Sequence, residues 1–223
     1  MSEIDLSKLP DSPKLHRAAL LSQEAIEMTK AWLASGAGVV QKNLVPGAVA
    51  YEFHLAPAEL RVVLGDCFQN IRAALDHEVF ARSARRHGRA WADAADTAFP
   101  VTKTEQSFRS RGQQQIRGLS TAAKELIEQL QPYQDPRHPL AKSLELAHDV
   151  ARIDRHRLLS LSAAQPRSYE LNPSTMRANL AVSLLFVMDE KFGGTDALAA
   201  SRACIVAVAW TIDHLREADG TPG

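Results

Sequence analysis

The stretch "PAELRVVLGDCFQNIRAALDHEVFARSARRHG", Pro57 to Gly88, constrains the fold more than any other part of the chain. Its apolar residues recur with a helical period and no proline interrupts it after the first position. It predicts one continuous helix about 45 Å long. At about 100° per residue, Leu64, Phe68, Ile71 and Leu75 share one face. A helix of that length needs other elements to cover such a stripe, so the rest of the chain must supply a bundle around it.

The flanking sequence supplies it. Ser12 and Pro13 have the chemistry of an N-cap and a first helical residue, and Gly36 closes the helix they open. Leu15, Ala18, Ala19, Ile26 and Leu33 give that helix its apolar stripe. "KTEQSFRSR" reads as a short helix, and Ser120 caps "TAAKELIEQL". Pro139 opens "PLAKSLELAHDVARIDRHRLL", and "TDALAASRACIVAVAWTIDHLREA" is a last amphipathic helix with Leu198, Ile205, Ala209 and Ile212 on one face. "RAWADAADTAFP" reads as a loop.

Two regions break the helical pattern. Val49, Tyr51, Phe53 and Leu55 alternate with Ala50, Glu52 and His54 after a Pro46-Gly47 turn, which predicts a β-hairpin. Between Ser160 and Lys191, Pro166 and Pro173 forbid a continuous helix, and "SYELNP" and "NLAVSLLFVM" read as a second strand pair. The expectation is a mainly α chain. It is a single-domain helical bundle over 1–223 with one or two small β-hairpins, and 1–12 and 218–223 are frayed ends.

Charge narrows the function classes. Lys+Arg and Asp+Glu both number 26, so the formal charge is zero. Phosphate neutralisation asks for a basic excess. No DNA binding is predicted, and RNA would need a local patch. Cys67 and Cys204 sit far apart in apolar runs and read as buried free thiols of a reducing compartment. The N-terminus lacks a signal pattern, and "ACIVAVAW" and "SLLFVM" fall short of the roughly 20 residues that span a bilayer. The expectation is a soluble cytoplasmic protein with no membrane partner.

Candidate chemistry gathers in "NIRAALDH", Asn70 to His77. Asp66, Asn70 and His77 lie opposite the apolar face, and Asp, Asn and His are poor helix formers. Arg72 and Asp76 are one turn apart and able to pair. Arg72, His77, Asn70 and Asp76 are the candidate catalytic set. The plainer reading is a solvated face with one ion pair. In the second motif helix Leu146, Val150 and Ile153 form the apolar face, with His148 and Arg152 pointing away. Arg157 shares the apolar face, so it should pair with Asp66 or Asp76. Asp66, Asp154, His156 and Arg157 are the candidate binding or ion-pair set. "ELAH" is a lone Glu-x-x-His, where a di-iron bundle needs two. Zinc spacing, Gly-rich phosphate loops and a nucleophile elbow do not occur, so no metal or cofactor is expected.

"GDCFQNIRAALDHEVF" resembles a stretch common in a widespread bacterial family of uncharacterised proteins, of the form GD-x-x-H/Q-N-L-R-S-A/S-L-D-H/Y-L-V. "FP" (Phe99-Pro100), "QPY" (Gln131 to Tyr133), "PL" (Pro139-Leu140) and "IDRHRLL" (Ile153 to Leu159) match that family's later landmarks in order. Ala151 stands where the family often has Asn. The resemblance implies no established activity. Arg72 and His77 also have the Arg-x4–6-His spacing of the HEPN superfamily, to which the chain is similar in being helical. Arg82 and His87 share that spacing, and chance supplies about two such pairs. The HEPN resemblance implies a metal-independent ribonuclease of bacterial defence or stress, with motif helices paired across a homodimer. Arg72 would hold the scissile phosphate, His77 would move the proton of the 2′-hydroxyl, and Asn70 and Asp76 would orient them. The alternative is a non-catalytic interaction or structural protein whose motif residues are ion-pair ties.

Overall fold

A computed structural model describes residues 4–37, 39–45, 48–156, 159, 161–164, 169–172, 177–180, 183–186 and 194–220. The fold is mainly helical. Helix α1 (Pro13–Ala34) runs along α2 (Ala58–His87), and α7 (Pro139–His156) and α8 (Ala197–Ala218) pack on the same long helix. Between them come α3 (Arg89–Ala94), α4 (Glu105–Ser107), a π-helical turn (Phe108–Gly112), α5 (Gln113–Gln115) and α6 (Thr121–Gln129).

The long helix forms as its pattern requires. Leu64, Phe68 and Ile71 are fully buried, and Leu75 is 1% exposed. Burying four such side chains stabilises the bundle by about 1.5–3 kcal/mol each. The caps are those of the sequence: Ser12 Oγ accepts from Leu15 N and Ser120 Oγ from Ala123 N. Asp196 accepts from the backbone of Leu198 and Ala199.

Strands β1 (Val39–Val45) and β2 (Ala48–Phe53) pair antiparallel, with Val39 opposite Phe53. Beside them β3 (Leu161–Ala164) pairs with β6 (Ser183–Phe186), and β4 (Tyr169–Asn172) with β5 (Arg177–Leu180). The predicted hairpin turn at 46–47 lies outside the described residues, as does much of the segment from 160 to 193.

Two expectations change. Arg89–Ala94, read as a loop, is helical, because Trp91 packs against Gly118 and under the Arg117 guanidinium. The chain ends are held further out than their composition suggests. Asp5 caps a 3-10 turn at Leu6–Lys8, and Asp219 accepts from Arg82 and from Ser120 N. Helix α8, read as an amphipathic helix whose run "ACIVAVAW" is shorter than a bilayer span, has an 18-residue window long and apolar enough by length and composition to cross a membrane. In this fold 56% of that window is buried among the other helices.

Cys67 and Cys204 are fully buried and free, Cys67 donating to Ala18 O and Cys204 to Ser143 O. Burial pushes the Cys204 thiol up to about 12 and the Cys67 thiol higher still. Only the thiolate reacts at speed. Thiol titration of the native protein is therefore expected to be slow at both positions and complete only after denaturant is added. Fast native labelling of Cys204 would contradict the docking of α8.

Candidate functional site

The two ends of "NIRAALDH" face different clefts. Arg72 projects toward the segment after α3. Its Nη2 donates to Phe99 O at 2.6 Å and lies 2.9 Å from Asp76 Oδ1. Asp76 Oδ1 in turn accepts from Phe99 N at 2.8 Å. One side-chain pair thus takes both backbone groups of Phe99, which Phe99 needs because its own ring is fully buried. The Arg72 side chain is 12% exposed and Asp76 33%. Burial pulls the Arg72 guanidinium down and raises the Asp76 carboxyl, in each case against the attraction between them.

Other landmarks converge on the same segment. The buried Gln131 amide donates to Pro100 O at 3.0 Å and to Ile127 O at 2.9 Å. Its oxygen accepts from Thr102 N at 2.9 Å. Gln69 donates to Ala151 O and Asp154 Oδ2, tying α2 to α7. Gly65 lets the helices close there: a Cβ would stand 2.0 Å from Asp154 Oδ1. Burial raises the Asp154 carboxyl, and the Asp66 charge adds to the rise while the Gln69 hydrogen bond lowers it.

The remaining candidates are scattered. Asn70 Nδ2 donates back to Asp66 O within α2, and Asp66 is exposed. His77 is exposed and opens onto a cleft of about 320 Å³ with Asp11, Glu78, Arg82, Arg85 and Arg216. Arg157 and the His156 side chain lie outside the described residues, so the Arg157 pair with Asp66 or Asp76 does too.

Arg72 and Asp76 instead border a cleft of about 800 Å³ between α2, α7 and residues 99–115. It shares no lining residue with the His77 cleft. Its walls carry Arg72, Lys103, Arg111, Arg152 and Arg155 against Asp76 and Asp149. His148 is in it as well, so the outward direction read for His148 and Arg152 is into this cleft. Sequence periodicity missed the cleft because one wall is the stretch 99–115, whose helical pieces are too short to show which side faces α7. Lys103 reaches across to Asp149 Oδ2 at 3.1 Å.

Burial, then the positive charge of Arg72, pulls His148 down to about 4. A base depressed in the folded state favours folding while neutral. That contribution is full above the unfolded value near 6.5 and is lost as pH falls toward about 4. Denaturant midpoints are expected to fall over that window, by about 1–2 kcal/mol after allowing for partial exposure. Asp76 and Asp154, raised in the fold, act in the opposite sense, gaining as pH drops. His148→Gln should remove the His148 part of the profile, and an unchanged profile would contradict this assignment.

Among the described residues no three His, Cys, Asp or Glu side chains converge to hold a metal ion. The site therefore consists of a tie at Phe99–Thr102, a basic cleft beside it and a separate histidine cleft. Compared with protein-family models, curated proteins and solved structures, the chain matches none.

Proposed function

We propose that this chain is a helical interaction protein without catalysis of its own, in which "NIRAALDH" is a structural tie. One observation carries the reading: Arg72 and His77 line different clefts, so one copy of the chain does not bring a phosphate-holding cation and a proton-moving imidazole to the same place. The meeting of Arg72, Asp76, Phe99-Pro100 and Gln131 around one segment supports kinship with the bacterial family whose landmarks those are. The strand pairs belong to this reading as small hairpins beside a single cytoplasmic bundle.

A second reading, a metal-independent HEPN-like ribonuclease of defence or stress, draws on the exposure of His77. It requires a homodimer, since within one copy Arg72 and His77 open onto different clefts. A fluorogenic RNA assay separates the two. No cleavage by the parent protein is expected. His77→Ala should leave the melting temperature within about 1–2 °C, as for other exposed substitutions. Cleavage by the parent that vanishes in a normally melting His77→Ala protein would overturn the first reading and establish the second.

A further inference from the structure

We infer that the cleft between α2, α7 and residues 99–115 is a binding site for a phosphate-bearing ligand of about nucleotide size. The chain as a whole is neutral, yet five cationic side chains and two carboxylates line this one cleft. Lys103 and Asp149 neutralise each other at 3.1 Å, and Asp76 is taken by Arg72 and Phe99 N. Arg111, Arg152 and Arg155 have no ion-pair partner among the described residues. Like charges gathered along one cleft raise its positive potential, and that potential draws an anion.

The floor of the cleft makes the same demand independently. Arg72 Nη1 and His148 Nδ1 are both buried, and neither has a hydrogen-bond partner among the described residues. An unmade bond from a buried charged donor costs about 1–3 kcal/mol or more, and an acceptor placed there by a ligand recovers that cost. An oxyanion accepts from both a guanidinium N–H and an imidazole N–H. Arg72 is held by Phe99 and Asp76 through Nη2, which leaves Nη1 fixed in direction. That is the preorganisation an anion site needs.

Phosphate fits better than a carboxylate. Three unpaired guanidinium groups at the walls exceed what one carboxylate can satisfy, whereas a phosphate offers several acceptor oxygens and up to two charges. The volume of about 800 Å³ lies within the range of small-ligand sites and leaves room for more than the anion alone. The site is distinct from the His77 cleft, and it holds whether or not the chain cleaves RNA.

Pyrophosphate is the probe, measured by titration calorimetry on the full chain at low salt, with the His148 ring resonances followed in parallel. Saturable binding that weakens with salt and moves the His148 signals is expected. Arg152→Glu and Arg155→Glu change exposed side chains, so folding should survive, as the melting temperature will show. Each should weaken binding about 10- to 100-fold, the worth of a charge-assisted hydrogen bond. Lys142→Glu, exposed on the same helix but outside the cleft, should bind as the parent does. A nucleoside diphosphate arm identifies the source. Tighter binding than pyrophosphate identifies a nucleotide, and equal binding identifies the free anion. The inference fails if pyrophosphate gives no heat at millimolar concentration, if both Arg variants bind like the parent, or if Lys142→Glu weakens binding as much as they do.

Discussion

Arg82→Met is expected to lower the stability of the folded chain by about 3–5 kcal/mol, the range for breaking a buried ion pair by removing one partner. Arg82 is 2% exposed, and its guanidinium bridges two carboxylates, Glu78 at 2.7 Å and Asp219 at 3.2 Å. Glu78 is itself buried and the Asp219 side chain is 6% exposed, and of the two acids Arg216 pairs with Glu78, at 3.1 Å. Methionine fills the volume but leaves Asp219 inside the protein with Arg86 as its nearest cation, at 3.8 Å and half exposed. The same Asp219 accepts from Ser120 N, so the loss spreads from the end of α8 to the start of α6. Thermal unfolding should shift down by about 10 °C or more for a chain of this size. A shift of only a degree or two would mean that the carboxylates find water and that the cluster is not sealed.

The second large effect is expected at the tie. Arg72→Met removes the partner of Asp76 and leaves Phe99 O unsatisfied, at a cost of about 3 kcal/mol. Asp76→Leu frees Phe99 N and strands Arg72, at a similar cost. The double variant should be markedly more stable than the sum predicts, with a coupling of about 1–3 kcal/mol, because the second substitution has little left to break. Additive losses from denaturant titration would mean that the two residues act separately and that the tie is not one unit.

Most of the bundle was readable from spacing because its physics is periodic. Leu64, Phe68, Ile71 and Leu75 recur at helical intervals and are the residues that α2 buries. Ser12 and Ser120 cap helices through local bonds that depend only on near neighbours. The Arg72–Asp76 pair is legible for the same reason, being one turn apart. What escaped reading depends on distant partners. Arg89–Ala94 is too short to declare itself, and its order comes from Trp91 meeting Gly118 and Arg117. His148 looked like a surface residue because its α7 neighbours face the core on the other side. Nothing in its own helix shows that Lys103 and Arg111 stand opposite. The separation of Arg72 from His77 was equally hidden, since five residues along a helix say nothing about which clefts the neighbouring segments leave open.

Four of the bonds at Phe99–Thr102 fall on main-chain atoms: the N–H and carbonyl of Phe99, the carbonyl of Pro100 and the N–H of Thr102; a fifth comes from the Thr102 hydroxyl, which donates to Gln131 Oε1. A hydrogen bond to the main chain does not read the identity of the residue that offers it. The instruction that positions this crossing is therefore written elsewhere, in Arg72 and Asp76 on one helix and in Gln131 just past the end of another. Within the crossing itself the side chains that matter most are the ring of Phe99, which fills the core, and the hydroxyl of Thr102, which meets Gln131. Such a segment tolerates editing of its letters while keeping its address. The insertions and deletions it would not survive are those that change the distance along the chain between Phe99 and Thr102, because three pins set by two helices then no longer fall on consecutive backbone groups.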